Sequence, residues 1–177
     1  MSSHVILKPH TINNTDKIDK WMNDPELLYY DDDQPEPIQR KSKEDIERIM
    51  NRLIEAHPKA NKDIIHFAIH EADDEELIGY CMIAFIDNYH RKCKLGLVIG
   101  EHELWGKGYG KDALKQLIDY CFDNLNMNRI QAEVYSHNTR SIKLFTKLGF
   151  ILDGVLKESV LKNGEYIDEH IYALLKK

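Results

Sequence analysis

No apolar run in this sequence approaches the ~18 residues that a membrane-spanning helix needs, and no membrane partner is expected. The opening stretch MSSHVILKPH lacks a cationic start followed by an apolar core, so no signal peptide is expected either. Cysteine is scarce, with Cys81, Cys93 and Cys121 the only three. They are odd in number, far apart along the chain and set among apolar neighbours. That pattern speaks for free buried thiols in a reducing, cytoplasmic setting, and against a disulfide framework or a metal centre. Positive charge is in deficit: 24 Lys and Arg stand against 30 Asp and Glu, a formal net charge of -6. An acidic surface repels nucleic-acid backbones and favours cationic or amine partners, which argues against DNA and RNA. There is no internal repeat, low-complexity tract or obvious linker. The 177 residues suit one domain with a proper core, and 1–177 is read as a single unit.

What is present alternates between two periodicities. HVILKP reads as a short first strand, and Asp16 to Met22 as a short helix that Asp24-Pro25 ends or redirects. YYDDDQPEP, Tyr29 to Pro37, reads as a loop. Ser42 with Asp45 three residues on makes a weak capping box. Ile46, Ile49, Met50, Leu53 and Ile54 then fall on one helical face, and Pro58 closes the region. IIHFAIH, LIGYCMIAFID and KLGLVIG read as three strands of a meander, the last apolar on both faces and hence central. Leu114, Leu117, Ile118, Cys121 and Phe122 give another amphipathic helix, and RIQAEVY a further strand. Thr139 to Leu148 forms a helix with Gly149 as its C′ residue, and Asn163-Gly164 joins a final hairpin. The order is α+β: a mixed, mostly antiparallel sheet of about seven strands flanked by about four helices, with a strand–helix–strand crossover in its middle.

The crossover helix opens on LWGKGYGKDALKQL, with Gly106, Gly108 and Gly110 interleaved with Lys107 and Lys111. The spacing fails the Walker A pattern, and Lys111 is followed by Asp112 rather than Ser or Thr. It also fails the dinucleotide fingerprint. The physics shared by both motifs remains. Glycines let successive N–H groups point at an anion, and the helix N-terminus and two lysines add positive charge. A turn that merely needed glycine conformations would be served by one.

Two blocks carry a family resemblance. Trp105-Gly106-Lys107-Gly108-Tyr109-Gly110 resembles the acetyl-CoA signature [Q/R]-x-x-G-x-[G/A] of the GNAT N-acetyltransferases, with Trp105 at the Gln/Arg position. NTRSIKLFTKLGF, Asn138 to Phe150, resembles the family's second helical block. WGKGY is similar to the branch of ribosomal-protein N-terminal and spermidine acetyltransferases. The likeness extends from about Leu77 to the end and more loosely back to DKWMNDPELLYY.

The resemblance implies a GNAT fold and acetyl-CoA as co-substrate. Backbone N–H groups of Lys107, Gly108, Tyr109, Gly110 and Lys111 would hold the coenzyme's diphosphate. Leu97, Val98 and Ile99 would line the pantetheine arm, with a bulge there splaying the neighbouring strand. Asn138 would bond the pantetheine amides, and Ser141, Phe145 and Lys147 would border the thiol or the nucleotide. Ile142, Leu144 and Leu148 read as core packing. By analogy the resemblance also implies a homodimer.

The implied reaction is attack of an amine on the thioester, the acceptor being a small-molecule amine or a protein N-terminus. Many relatives place a proton-donating tyrosine where this chain has Phe145. Tyr135 and His137, beside Asn138, are substitute candidates, and Glu133 is a candidate base through water. A polyamine acceptor is the runner-up, favoured by the negative charge and opposed by Phe145. A non-catalytic acyl-CoA-binding regulatory protein is the reading from another class. Asp31, Asp32 and Asp33 are candidates to attract a cationic acceptor, with Tyr29 and Tyr30 covering its stem. The general rule for charge runs favours a solvated face. His66 and His70 lie too far apart along a strand for a zinc pair, with no third ligand near.

Overall fold

The computed structural model describes residues 3–31, 40–56 and 63–177. Seven strands form one sheet, in spatial order β1-β2-β3-β4-β5-β7-β6. They are β1 (Val5–Lys8), β2 (Ile64–Glu71), β3 (Leu77–Asp87), β4 (Lys92–Ile99), β5 (Arg129–Tyr135), β6 (Ile151–Lys162) and β7 (Glu165–Leu175). The helices are α1 (Thr15–Met22), α2 (Pro25–Asp31), α3 (Lys43–Glu55), α4 (Tyr109–Asp119) and α5 (Thr139–Lys147). Every strand pair is antiparallel except β4 with β5. That exception is the expected crossover through α4.

α2 lies where the sequence reading ends a helix and begins a loop. The reason is local. Asp24 Oδ1 accepts the N–H groups of Glu26 (2.9 Å) and Leu27 (3.2 Å), and Pro25 occupies the first helical position. A proline there loses nothing, since its missing N–H is one that a helix start leaves unpaired. Asp24-Pro25 thus ends one helix and starts the next. The capping box of α3 forms as expected, Ser42 Oγ accepting from Asp45 N–H at 3.2 Å and Asp45 Oδ2 from Ser42 N–H at 3.2 Å. Pro58 falls outside the described residues.

Two apolar layers hold the helices to the sheet. On one side Ala113, Leu114, Leu117 and Ile118 of α4 and Phe145 of α5 pack on Phe67, Ile69, Ile78 and Ile130. On the other, Trp21 of α1, Leu27 of α2 and Ile46, Met50 and Leu53 of α3 pack on Ala68, Leu77 and Val98. Adjacent strand residues such as Ala68 and Ile69 go to opposite layers, as the two-residue period requires. Full burial of a leucine such as Leu114 or Leu117 contributes about 1.5–3 kcal/mol. Gly100 ends β4 because Trp21 fills the space beside it: a Cβ there would lie 2.1 Å from the indole. β6 and β7 turn through Asn163 (φ 49°) and Gly164 (φ 78°), the left-handed pair that the hairpin signal predicts.

All three cysteines are buried free thiols. Distant in sequence, Cys93 of β4 and Cys121 after α4 nevertheless bring their sulfurs within 3.7 Å. No helix among the described residues is long and apolar enough to cross a membrane.

Candidate active site

β4 and β5 pair through only three positions, Lys92↔Arg129, Cys93↔Ile130 and Lys94↔Gln131. Beyond Lys94 they part, and a cavity of about 400 Å³ opens between them. No bulge in β4 causes this. Its register with β3 runs unbroken from Gly79↔Ile99 to Ala84↔Lys94. The irregularity lies instead in β3, between Ala84 and Asp87, where Phe85 takes φ 51°. The bulge expected at Leu97–Ile99 is therefore absent, and the β3 irregularity lies at the other end of β4, where β4 and β5 still pair.

The parting leaves one edge of β4 unpaired. Gly100 donates its N–H to Ile78 C=O, so the Gly79↔Ile99 pair is of the non-hydrogen-bonded kind. Antiparallel alternation then turns the N–H and C=O of Leu97 and Ile99 away from β3 and toward the split. Ile99 C=O accepts from Trp105 Nε1 at 2.7 Å. Leu97 keeps a strand edge facing the cavity.

The N-terminus of α4 closes one end. Gly106 (φ 76°) and Gly108 (φ 105°) are left-handed, a conformation that costs glycine nothing. The first helical bond runs from Asp112 N–H to Gly108 C=O at 3.0 Å, so the N–H groups of Tyr109, Gly110 and Lys111 precede it. The N–H of Lys107 does not join them: it bonds Leu104 C=O at 3.3 Å. Two contacts brace this turn from outside. Tyr109 Oη donates to Glu71, and Asp112 Oδ2 meets His4 Nδ1 at 2.8 Å.

α5 closes the other wall. Asn138 caps it, Oδ1 accepting from Ser141 N–H at 3.1 Å. Its far end is a complete Schellman motif: Gly149 (φ 90°) donates to Thr146 C=O and Phe150 to Phe145 C=O, each at 3.1 Å. Phe145 is buried edge-on against Phe150, ring centres 5.1 Å apart.

Leu97, Val98, Ile99, Gly108, Gly110, Lys111, Asn138, Ser141, Phe145 and Lys147 all line the cavity. The side chains of Lys107 and Tyr109 are not among its lining. Leu144, read from its spacing as core, lines it as well.

The candidate catalytic and acceptor residues divide. Glu133 reaches the cavity, its carboxylate paired with Lys94 across the start of the split and accepting from Gln131 Nε2 at 3.1 Å. Tyr135 and His137 do not line it. They stand behind Tyr30, which does. The His137 ring lies between those of Tyr30 (5.5 Å) and Tyr135 (5.8 Å), with Tyr29 at 4.7 Å. Burial, and then the Lys162 cation, push the imidazole below its ordinary pKa. Both ring nitrogens are buried without a hydrogen-bond partner among the described residues. Asp32 and Asp33 lie outside the described residues, as does the side chain of Asp31.

Sequence reasoning missed Arg140, whose guanidinium lies 3.6 Å from the centre of the Trp105 ring. No periodicity marks that pair. The only available signal was a cation two residues after the capping Asn138.

Comparison with known proteins identifies the family and the fold. The acetyltransferase (GNAT) domain family matches residues 4–151. The chain is 31% identical over 176 residues to the uncharacterized N-acetyltransferase p20 of Bacillus licheniformis, covering 99% of this chain and 95% of that protein. It is 30% identical over 139 residues to a spermidine N(1)-acetyltransferase of Vibrio cholerae, covering 77% of this chain and 76% of the relative. The crystal structure of a Vibrio cholerae spermidine N-acetyltransferase in complex with CoA and spermine superposes with a TM-score of 0.82. That match covers 97% of this chain and 95% of the other at 24% identity, a likeness of fold. The chain belongs to the GNAT family and is a GNAT N-acetyltransferase.

Proposed function

We propose that residues 1–177 act as one domain that transfers an acetyl group from acetyl-CoA to a primary amine of a small molecule or a protein N-terminus. One observation carries the reading. Parallel β4 and β5 part after three pairs, and the cavity between them runs from an unpaired strand edge to a helix start lined by glycines. The pantetheine arm is an extended amide chain, and it suits the edge at Leu97 as a partner strand would. The diphosphate suits the N–H groups of Gly108, Tyr109, Gly110 and Lys111, where the helix dipole favours an anion. Asn138, Ser141, Phe145 and Lys147 line the same cavity and suit the roles that the family resemblance implies for them.

The chemistry follows from that placement. An aliphatic amine has a pKa near ~10, so only about one molecule in a thousand is neutral at pH 7. Glu133 takes the amine's proton through water. The nitrogen then attacks the thioester carbon, and the C–N bond forms while the carbonyl oxygen gains charge. N–H groups on the open edge of β4 stabilise that oxyanion. The nitrogen gives up its second proton to water, and the C–S bond breaks as the intermediate collapses. Phe145 has no proton to give, and a thiol of pKa about 8.5 leaves as thiolate and is protonated by solvent. Tyr29, Tyr30 and the His137 ring behind them form an aromatic wall for the acceptor. The acidic run at Asp31, Asp32 and Asp33 attracts it.

A polyamine is the second acceptor class, favoured by the Vibrio cholerae relative's name and opposed by Phe145. Thiol release from acetyl-CoA, measured with peptides, small amines and polyamines, decides among acceptors. Calorimetry with CoA tests the donor separately. Amine-dependent thiol release is expected. Coenzyme binding without turnover on any amine would contradict the proposal.

A further inference from the structure

Arg140 is the second residue of α5 and lies where three elements meet. Its guanidinium lies flat on Trp105, 3.6 Å from the ring centre, and 5.8 Å from that of Tyr30. The platform beneath it is itself fixed. Trp105 Nε1 donates to Ile99 C=O at 2.7 Å, and the indole packs on His102 at 4.2 Å. His102 in turn stands between Asp24 (3.1 Å) and Glu26 (3.5 Å), which ties the start of α2 to the same rim. A cation on an aromatic face gains about 0.5–1 kcal/mol at an exposed site, more where water is excluded.

Stacking occupies the face of the guanidinium and leaves its edge. The N–H donors lie in that edge, in a fork that matches two oxygens of a phosphate or carboxylate. The carboxylate of Glu26 stands at 3.9 Å, beyond hydrogen-bond distance, so that pairing takes up none of the donors. Arg140 lines the cavity together with Gly106, Gly108 and Lys111, and Trp105 immediately precedes the glycine turn. The fork is therefore held on the same rim as the start of α4. Lys111, Lys143 and Lys147 also line this cavity, each an exposed flexible cation.

We propose that Arg140, stacked on Trp105, is a binding residue for the diphosphate of the coenzyme, acting with the N–H groups of α4. This rests on the reading that CoA occupies the split. It adds a contact from α5, more than thirty residues along the chain from the glycine turn. Planarity matters as much as charge, because only a flat group lies on the indole with its donors directed sideways, parallel to the ring.

Full-length Arg140→Ala and Arg140→Lys are titrated calorimetrically with CoA and with dephospho-CoA, and assayed with S-acetylpantetheine as a donor lacking both phosphate groups. Arg140→Ala is expected to weaken CoA and dephospho-CoA alike, by about tenfold to a hundredfold, the usual worth of a charge-assisted hydrogen bond. Its kcat/KM with S-acetylpantetheine should match wild type. Arg140→Lys should recover only part of the loss. Equal losses with all three compounds would overturn the proposal in favour of structural support. A loss confined to CoA would move the contact to the 3′-phosphate and overturn it. Unchanged donor affinity with a raised acceptor KM would assign the fork to an acceptor carboxylate. If wild-type protein bound no CoA, the reading of the split would fail instead, and the variants would not be needed to show it.

Discussion

Glu133 stands where the split begins, just past the last β4–β5 pair, with its carboxylate already engaged by Lys94. That pairing holds the side chain in one place and leaves lone pairs free, since a carboxylate accepts about four hydrogen bonds. The competing base, His137, is kept neutral by burial but enclosed by three tyrosine rings and set back from the cavity. Position therefore favours Glu133 as the base in the proposed mechanism. Glu133→Gln is expected to lower kcat by about a hundredfold while leaving the KM for acetyl-CoA within a few fold, in steady-state thiol release. An unchanged kcat would mean that the amine loses its proton by another route. At this scale the sequence was informative only inside its two motif blocks. Gly108, Asn138 and Ser141 could be named because the family resemblance carries them over, and all three line the cavity. The Arg140–Trp105 stack and the Cys93–Cys121 contact could not, since they depend on how β4, α4 and α5 pack.

Two helices close the cavity, α4 and α5, and each starts with a device readable in the sequence. For α5 that device has two jobs. Asn138 Oδ1 caps the helix by accepting from Ser141, and in the proposed complex its Nδ2 donates to a pantetheine amide. Asn138→Asp separates the jobs: a carboxylate still caps but cannot donate. Thermal stability should change little, whereas the KM for acetyl-CoA should rise about fivefold or more. A variant that lost stability with an unaltered KM would assign Asn138 to capping alone. Element boundaries were legible where periodicity was strong, as in β3, which runs from Leu77 to Asp87 as the pattern predicts. They were not legible at α2, because Asp-Pro reads equally as an end and as a start until the Asp24 side chain is seen to cap. The parting of β4 from β5 leaves no mark in composition at all. It is a property of the sheet, not of either strand.

Across the whole molecule the sheet works as two halves, β1 to β4 and β5 to β7, joined by three parallel pairs. The first half also contains a response to acid. His10 is 4% exposed, and burial, then the neighbouring His66 and His70, lower its pKa from 6.5 to about 4. Burial does the same to His66. A histidine with a folded pKa below its unfolded one stabilises the fold fully above pH 6.5. That stability is lost as pH falls toward 4, because the unfolded chain takes up the proton first. For His10 alone about 3 kcal/mol is at stake, of which about 2 should be gone by pH 5. Urea unfolding should therefore show a lower midpoint at pH 5 than at pH 7.5, with a smaller difference in His10→Gln. Equal midpoints in wild type would refute it. A crystal structure of the protein grown with CoA tests the seam most directly. Diphosphate oxygens are expected about 2.7–3.2 Å from the N–H groups of Tyr109, Gly110 and Lys111, and the pantetheine arm alongside Leu97. Coenzyme bound elsewhere, or β4 and β5 paired along their whole length around an empty seam, would contradict that expectation.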